Sequence, residues 1–578
     1  MKVGSPSAEL RRARQGVATP AGTRHRRRRL RRLLTRALPL LLTACAAFLF
    51  GVWESGAAAR EAHRIAQRYV RAWGQDEFAA MYRMLTAGSR RQLSEAEFVA
   101  DYRAAAATAT LIAQAPLHVG SLQGSAVNVR MRARTRVFGT LIETLRVPVD
   151  TGGDGVVFGG ELLFPGLRGG ERLRRQTYLA ARGAILADDG TPLAEGPDRS
   201  SPIPAVADEV TGTLGPIPAS ALRRYLAAGY PADARVGQDG LELVFQRQLR
   251  GKIGGTLFAG RRVLASVAAR PGGTVRTTID PAIEQAAISA IGGAYGGMTV
   301  IDPRTGAVLA VAGIAYSDVQ PPGSTFKIIT ATGALQAGIV ALDTEFPYQT
   351  SADIDGYILQ NAAKESCGGT LINAFAVSCD TVFAPLGLRL GAARLVAAAQ
   401  AFGFDHATGI PGALESTIPS AATIGDGVAV GSSAIGQGRV QASTLEMADV
   451  GATIADGGRR PLPTLRDGSR PRFVTVTGAR VAGEVQEMME AVVEYGTGTP
   501  AQIPGVVVAG KTGTAELTTT SNQVNDKAAT DAWFVGYAPA GAARVVACAL
   551  FPSAGYGAQV AAPAVQQVLV AALATKGA

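Results

Sequence analysis

An arginine-rich segment followed at once by a charge-free apolar run limits what this chain can fold into more than any other feature. Residues 1–36 hold twelve basic side chains and one acidic one, which account for the whole formal charge of +11. The rest of the 578-residue chain is therefore close to neutral. Residues 37–53 carry no charge, and this length is close to the minimum for one membrane-spanning helix. Because positive segments stay in the cytoplasm, the pattern predicts a cytoplasmic tail at 1–36, a single-pass signal anchor at 37–53 and an extracytoplasmic remainder.

Two other fates of the apolar run stay open. The segment Leu42-Thr43-Ala44-Cys45 resembles a lipoprotein cleavage box, and a cleaved signal peptide would also fit. Apolar residues continue past Cys45 to Trp53, whereas a lipoprotein usually turns polar there, so the anchor is favoured. Since the tail's charge then orients the protein in the membrane, we expect no nucleic-acid partner.

Three regions follow the apolar run. Between residues 58 and 85 apolar residues recur three and four apart, and alternating segments with Gly-rich turns come next, so residues 57–166 are predicted to form a small α+β domain. Residues 167–275 are rich in proline, glycine and charge, with short strand-like runs such as Leu241 to Phe245. From 276 to 578 Ala-rich helices alternate with Val-rich strands, which predicts one large α/β domain of mixed sheet and helices.

A serine and a lysine stand at the start of a predicted helix in the last region. Pro321-Pro322-Gly323 breaks the chain, and Ser324-Thr325-Phe326-Lys327 opens a run with helical content. Ser324 and Lys327 are three residues apart, so they share a helix face. A hydroxyl at a helix N-terminus beside an amine has a base within reach and backbone N–H groups for an oxyanion. Ser324 is therefore the candidate nucleophile and Lys327 its candidate general base.

A second lysine motif, Lys511-Thr512-Gly513-Thr514, follows the apolar segment 506–510, which we predict to be a strand. At a strand edge the ammonium and the hydroxyls could hold a substrate carboxylate, while Gly513 permits close approach. Ser378-Cys379-Asp380 lies between the two lysine motifs. Three motifs in this order, roughly 50 and then roughly 130 residues apart, are the set found in serine acyl transferases that react with β-lactams.

These motifs resemble those of the class B, monofunctional penicillin-binding proteins, which are D,D-transpeptidases. The resemblance runs from about residue 182 to the C-terminus. The linker-domain signatures of that family are matched by Arg182-Gly183-Ala184-Ile185-Leu186 with Asp189-Gly190, by Gly240-Leu241-Glu242 and by Leu249-Arg250-Gly251. Its transpeptidase domain is matched by Thr278-Ile279-Asp280-Pro281, Gly436-Gln437-Gly438, Glu516 and residues 532–537.

The resemblance also implies a domain plan. The order of elements in 57–166 resembles the nuclear transport factor 2-like domain of methicillin-resistance-type penicillin-binding proteins. A mostly β linker domain, dimerisation-like, is expected at 167–275, and a β-lactamase-like α/β (α+β) transpeptidase domain at 276–578. Residues 57–276 have neither the room nor the motifs for a glycosyltransferase, so the enzyme is read as monofunctional.

The same resemblance implies an activity. Ser324 would attack the penultimate carbonyl of a D-Ala-D-Ala stem peptide and release D-alanine, and an amine of a second stem peptide would take the acyl group. Lys327 would be the base and Ser378 a proton relay. The substrate carboxylate and oxyanion would be held by Lys511, Thr512, Gly513 and Thr514. β-Lactams would acylate the same serine, and the expected partners are a lipid-linked precursor, the membrane and a wall glycan polymerase.

Asp380 departs from the family pattern, which has asparagine at this position. An ionised carboxylate has no proton to donate to a substrate, and it would raise the pKa of a nearby Lys327 and weaken it as a base. This departure keeps open a non-catalytic scaffold of a wall-synthesis complex. A β-lactam sensor or hydrolase with the same fold is a second alternative, because such proteins share the Ser-x-x-K and Lys-Thr-Gly motifs.

Histidine and cysteine usage points away from other chemistries. None of the four histidines, His25, His63, His118 and His406, lies beside a cysteine or carboxylate at metal-ligand spacing, so we expect no metal and no other cofactor. A Ser-His-Asp triad would have to recruit His406, although Lys327 already supplies a base. Cys367 and Cys379 are near enough in sequence to form a disulfide, and two buried thiols would fit equally well.

Overall fold

The computed structural model describes residues 38–150, 152, 155–516 and 530–576. The predicted cytoplasmic tail lies outside these residues. The chain divides into two compact units, one of Met1–Arg175 with Thr256–Ser266 and one of Gln176–Gly255 with Val267–Ala578.

A long helix, α1 (Leu38–Gly74), begins in the apolar run and ends in the core of the first unit. Ile65, Tyr69 and Trp73 lie one turn apart on its buried face, which confirms the predicted helical pattern. The shorter helices that follow are α2 (Phe78–Arg83), α3 (Ala87–Gln92) and α4 (Glu95–Ala109).

A four-stranded antiparallel sheet packs on these helices. Its strands, in spatial order, are β1 (Leu111–Gln123), β2 (Ala126–Thr135), β3 (Thr140–Asp150) and β4 (Gly155–Val156). Val127, Val129 and Met131 alternate along β2 and are buried against the helical side, whereas the residues between them face solvent. Residues 57–166 therefore contain helices followed by an antiparallel sheet with one buried face.

Among the residues described, no single helix is both long and apolar enough to cross a membrane. The apolar part of α1 is Leu38–Leu49, and one pair of helices bent by 102°, Asp380–Leu390 and Ala392–Phe402, passes the same test only when taken together.

The segment after the first domain consists of short elements. Its strands are β5 (Leu173–Tyr178), β6 (Ile185–Leu186), β7 (Pro192–Ala194), β8 (Leu214–Pro216), β9 (Arg235–Gly237), β10 (Gly254–Ala259), β11 (Arg262–Val267) and β12 (Val275–Arg276). They form small sheets in the orders β11–β10–β5, β12–β6–β7 and β8–β9. Four helices lie between them, namely α5 (Pro204–Val210), α6 (Leu222–Ala227), α7 (Gly240–Val244) and α8 (Gln246–Leu249).

The strand predicted at Leu241 to Phe245 is wrong, because this segment is helical. Leu241, Phe245 and Leu249 are all buried at a four-residue spacing, which is the period of a helix. Glu242, between them, is buried too and receives hydrogen bonds from Arg182 and Arg199. Alternation over five residues could not distinguish this arrangement from a strand.

A five-stranded antiparallel sheet forms the centre of the last region. Its spatial order is β14 (Val308–Gly313), β13 (Gly297–Ile301), β23 (Val545–Phe551), β22 (Thr530–Ala538) and β21 (Ala509–Glu516). Every residue of β13, β22 and β23 is buried, because helices cover both faces of the sheet. Trp533 and Phe534 are core residues of β22, as predicted.

Nine α-helices surround this sheet or extend from it in the part of the chain that the structure describes: α9 (Pro281–Ile291), α10 (Lys327–Gln336), α11 (Leu371–Ala376), α12 (Asp380–Leu390), α13 (Ala392–Phe402), α14 (Gly427–Ala434), α15 (Thr444–Ala455), α16 (Ala479–Glu494) and α17 (Ala561–Lys576). A 3-10 turn at Gly323–Phe326 precedes α10. Peripheral strands pair in twos as β15 (Glu345–Gln349) with β18 (Cys367–Thr370), β16 (Ser351–Ile354) with β17 (Tyr357–Gln360), and β19 (Arg459–Pro461) with β20 (Phe473–Thr475).

Candidate active site

Ser324 lies on the 3-10 turn that leads into α10, as the helix-start prediction requires. Gly323 before it has φ of +52°, and its N–H donates to the carbonyl of Gly436 at 2.9 Å. A Cβ at Gly323 would come within 2.8 Å of the Thr514 carbonyl oxygen. Glycine is therefore needed here both for the left-handed backbone and for the close approach of β21. The turn leaves Ser324 half-buried at the floor of a cleft.

Lys327, one turn further on, is fully buried and points toward the second motif. Its Nζ donates to the Ser378 carbonyl at 2.7 Å, to Ser378 Oγ at 3.3 Å and to Asp380 Oδ1 at 2.7 Å. Burial lowers the pKa of the Lys327 ammonium, and the Asp380 carboxylate acts in the opposite direction. Asp380, which the sequence predicts to lie near Lys327, forms an ion pair with it.

Lys511 reaches the same hydroxyl from the opposite side. Its Nζ donates to Ser378 Oγ at 2.8 Å and to the Thr512 carbonyl at 3.0 Å. Burial lowers the pKa of Lys511 well below its usual value, the charge of Lys327 adds to this effect and Asp380 opposes it. Ser378, whose φ is +62°, thus holds its hydroxyl between two buried amines. A hydroxyl in that position can pass a proton from one to the other.

The third motif lies inside β21 rather than after a strand at 506–510, so that part of the prediction is wrong. Val507 is exposed, and the ladder with β22 begins at Ala509. A Cβ at Gly513 would lie 2.7 Å from the Pro322 carbonyl oxygen and 2.9 Å from Thr325 Cγ2, so glycine lets the strand approach the serine turn.

The hydroxyls of this strand flank the cleft. Thr512 Oγ1 is 2.5 Å from Thr497 Oγ1, and Thr514 Oγ1 accepts a hydrogen bond from the N–H of Gly557 at 3.4 Å. The cleft has a volume of about 370 Å³, and its lining includes Ser324, Ser378, Asp380, Thr512, Thr514 and Asn361. Ser324, Lys327, Ser378, Asp380, Lys511, Thr512, Gly513 and Thr514 are thus brought to one place from three elements.

Cys367 and Cys379 form a disulfide, which answers the question that the sequence left open. It joins β18 to the residue between Ser378 and Asp380. Cys548 is a separate buried thiol, and burial raises the pKa of its sulfhydryl group.

Two contributors to the site were missed at the sequence level. Asn361 accepts a hydrogen bond from the N–H of Thr381, the residue after the second motif, and Thr497 contacts Thr512 from the segment after α16. Neither belongs to a motif or a periodic pattern, so no sequence signal singled them out. His406, the only histidine considered for a triad, is not part of the cleft lining; its Nδ1 lies 2.8 Å from the Phe404 carbonyl oxygen.

Comparison with known families agrees with this geometry. Residues 296–570 match the family model described as the penicillin binding protein transpeptidase domain, and residues 190–263 match the penicillin-binding protein dimerisation domain. The fold and the site thus define a penicillin-binding transpeptidase, and the predicted transpeptidase fold is confirmed.

Relatives at the sequence level lead to the same family. The chain is 32% identical over 371 residues to the peptidoglycan D,D-transpeptidase PbpA of Mycolicibacterium smegmatis, covering 52% of this chain and 73% of PbpA. It is 26% identical over 375 residues to penicillin-binding protein 3 of Bacillus subtilis, covering 57% of this chain and 55% of that protein. The chain belongs to the penicillin-binding protein family, as a class B member.

Solved structures show the same fold. PBPA from Mycobacterium tuberculosis has a TM-score of 0.55 at 27% identity, covering 68% of this chain and 99% of PBPA. The ceftriaxone acyl-enzyme complex of M. tuberculosis penicillin-binding protein A has a TM-score of 0.56 at 28% identity, with 68% and 98% covered. Pseudomonas aeruginosa PBP2 has a TM-score of 0.60 at 24% identity, with 69% and 97% covered, which supports the fold alone.

Proposed function

We propose that this chain is a serine-type peptidoglycan D,D-transpeptidase that cross-links stem peptides through an acyl-enzyme on Ser324 and that β-lactams acylate the same serine. One observation carries this proposal: Ser378 Oγ accepts hydrogen bonds from both Lys327 and Lys511 at the edge of the cleft that Ser324 lines. Two buried amines joined by a hydroxyl beside a serine at a helix start are the parts that acyl transfer needs.

The chemistry divides into two steps. In the first, neutral Lys327 takes the proton of Ser324, the serine oxygen bonds to the penultimate D-alanine carbonyl carbon, and the peptide bond breaks as the leaving D-alanine nitrogen receives a proton through Ser378. In the second, the amine of another stem peptide attacks the ester carbonyl and loses a proton to Lys327, the ester C–O bond breaks, and the departing Ser324 oxygen takes that proton back from Lys327. Burial favours the neutral form of Lys327 and thereby prepares it to act as the base.

Residues of β21 would bind the substrate. The substrate's terminal carboxylate would be held by Lys511 Nζ and the hydroxyls of Thr512 and Thr514, since hydrogen bonds to an ionised carboxylate are the strong ones. Gly513 keeps this strand close to the serine turn. Backbone N–H groups at the Ser324 turn and on β21 would stabilise the oxyanion.

A fluorescent penicillin tests the proposal. The full chain should form a stable labelled acyl-enzyme, and Ser324→Ala should abolish the label. Rapid loss of the label would instead indicate a β-lactam hydrolase, and labelling that is lost with Ser324→Ala without effect on cell growth would favour a scaffold or sensor role.

We also propose a membrane topology, a set of domain boundaries and two partners for this chain. We expect residues 37–53 to anchor the chain in the cell membrane, with residues 1–36 in the cytoplasm and the catalytic domain outside. In support, α1 runs without a break from the apolar segment into the N-terminal α+β domain. Residues 57–166 are proposed to be nuclear transport factor 2-like, 167–275 the linker and 276–578 the transpeptidase domain. A lipid-linked precursor and a wall glycan polymerase are the proposed partners.

Protease treatment of intact spheroplasts tests the membrane orientation. The large domains should be digested, because the positive charge lies on one side of the apolar run. Protection of those domains would contradict the orientation.

A further inference from the structure

The helix that carries Asp380 begins without a cap of its own. In α12 the residue before the first helical turn is Cys379, whose side chain makes no capping hydrogen bond. The sulfur of Cys379 is bonded to Cys367 in the disulfide. A helix start leaves backbone N–H groups without intrahelical partners, and serine, threonine, aspartate or asparagine normally accepts from one of them. The α12 start therefore needs an acceptor from elsewhere.

Asn361 supplies that acceptor from another segment, twenty residues earlier in the chain. Its Oδ1 accepts the N–H of Thr381, the second residue of α12, at 2.9 Å. This is the bond that an N-cap side chain would make in an ordinary helix. Asn361 is only 4% exposed, so water has little access to replace it.

The nitrogen of the Asn361 amide also makes hydrogen bonds. Its Nδ2 donates to the Gln349 carbonyl at 2.9 Å, to the Glu365 carbonyl at 3.0 Å and to Thr381 Oγ1 at 3.2 Å. The side chain is thus fixed by bonds to two backbone segments before it reaches α12. Because these bonds restrict the Asn361 amide, its bond to the Thr381 N–H also restricts the position of Thr381.

The segment 361–367 is connected at both ends to the second motif or to the residue that follows it. At one end Asn361 holds Thr381, and at the other Cys367 is bonded to Cys379. Ser378 and Asp380, which contact Lys327, lie on either side of Cys379. Ser378 also has a backbone with φ of +62°, a conformation that persists only when its surroundings fix it.

We propose that Asn361 is a positioning residue for acylation, which caps α12 from outside the helix and so keeps Ser378 and Asp380 in register with the two lysines. The inference rests on the proposed function and deepens it. Asn361 touches none of the reacting groups, and its effect passes through the backbone at Thr381 to the Ser378 hydroxyl. Misplacement of a catalytic group by about 1 Å can cost on the order of a hundredfold in rate.

Acylation of the full chain by penicillin, followed by stopped flow, tests this role. Asn361→Ala should slow acylation by about tenfold or more, because the second motif is no longer held. Asn361→Asp keeps the acceptor for the Thr381 N–H but loses the Nδ2 donations and puts a carboxylate oxygen beside the Gln349 and Glu365 carbonyl oxygens, so it should also slow acylation by about tenfold or more. Asn128→Ala, which removes only a bond to Gln123 in the N-terminal domain, is the matched control.

A double-mutant cycle separates positioning from simple stability. In a Ser378→Ala background the Asn361→Ala change should slow acylation by less than about twofold, because the group it positions has been removed. An equal effect of Asn361→Ala in both backgrounds, or an Asn361→Ala variant that acylates at the parental rate, would overturn the proposal. Labelling that persists in Ser324→Ala would instead overturn the proposed function, so the two failures are distinguishable.

Discussion

The second and third motifs reach the same cleft but are held there in different ways. Lys511 to Thr514 lie in β21, whose ladder with β22 runs from Ala509 opposite Tyr537 to Glu516 opposite Thr530. Ser378 lies in the turn between α11 and α12 and Asp380 begins α12; in this turn the Ser378 N–H donates to the Phe375 carbonyl and the Cys379 N–H to the Ala374 carbonyl. Two side-chain connections supplement these bonds, a disulfide at Cys379 and the Asn361 amide at Thr381. A backbone ladder fixes a motif through many equivalent bonds, whereas the second motif depends on a few individual ones.

The largest expected effect on the acylation rate comes from Gly513→Ala. This variant tests how closely β21 must approach the turn that carries Ser324. Gly513→Ala would place a methyl group 2.7 Å from the Pro322 carbonyl oxygen and 2.9 Å from Trp533 Cβ, both of which are difficult to move. We expect acylation by penicillin to fall about a hundredfold, as for other misplacements of this size.

Gly541→Ala is the control for that experiment, because a Cβ there meets no atom within 4 Å. Both variants can be compared by stopped-flow acylation with circular dichroism to verify folding. A Gly513→Ala enzyme that acylates at the parental rate would contradict the close approach of β21.

A gain of activity is expected from the second motif. Asp380→Asn removes the carboxylate 2.7 Å from Lys327 Nζ, and that carboxylate opposes the lowering of the Lys327 pKa by burial. The pKa of Lys327 should therefore fall further, so that more of the lysine is neutral at a given pH below that pKa. Acylation at neutral pH should rise by up to about tenfold, and the acid limb of the pH–rate profile should shift to lower pH.

The pH–rate profile also provides the test. The gain should disappear at alkaline pH, where Lys327 is neutral in both enzymes. Slower acylation at every pH would mean that the carboxylate itself is required, contrary to the role given to it here.

The smallest expected rate effect comes from the disulfide. Replacing both Cys367 and Cys379 by serine should slow acylation only about threefold, because Asn361 still caps α12. The closed loop is short, with a sequence separation of 12, so the free energy of unfolding should fall by about 3 kcal/mol. Thermal melting and acylation of this variant, with Cys45→Ser as the control, would measure the two effects separately. A rate loss as large as that of Gly513→Ala would show that the covalent bond, rather than the amide, holds the second motif.

The same contrast explains what the sequence could and could not predict. The three motifs and their order predict the fold and the residues that meet at the cleft, because each motif sits on or beside a regular element with its own pattern. Asn361 could not be found, since a lone asparagine in a loop carries no periodicity and its partner lies twenty residues away. The pairing of Cys367 with Cys379 stays open in the sequence for a different reason, because two buried thiols fit the same spacing.

The two wrong strand predictions, at 241–245 and at 506–510, have a related cause. The segment Leu241 to Phe245 is too short for alternation to be separated from one helical turn, and only the burial of Leu249 beyond it reveals the helix. The run of valines at 506–508 suggested a strand, but Val507 is exposed and the ladder begins at Ala509. In both segments tertiary packing overrides local pattern.

Ser324 is expected to be the sole residue of the chain that carries the acyl group. Intact-mass analysis of the full chain after penicillin treatment measures this directly. We expect a single adduct of one penicillin per chain, complete disappearance of the adduct in Ser324→Ala, and a parental melting temperature for that variant. An adduct that survives Ser324→Ala, or a second adduct on the parent chain, would contradict the account.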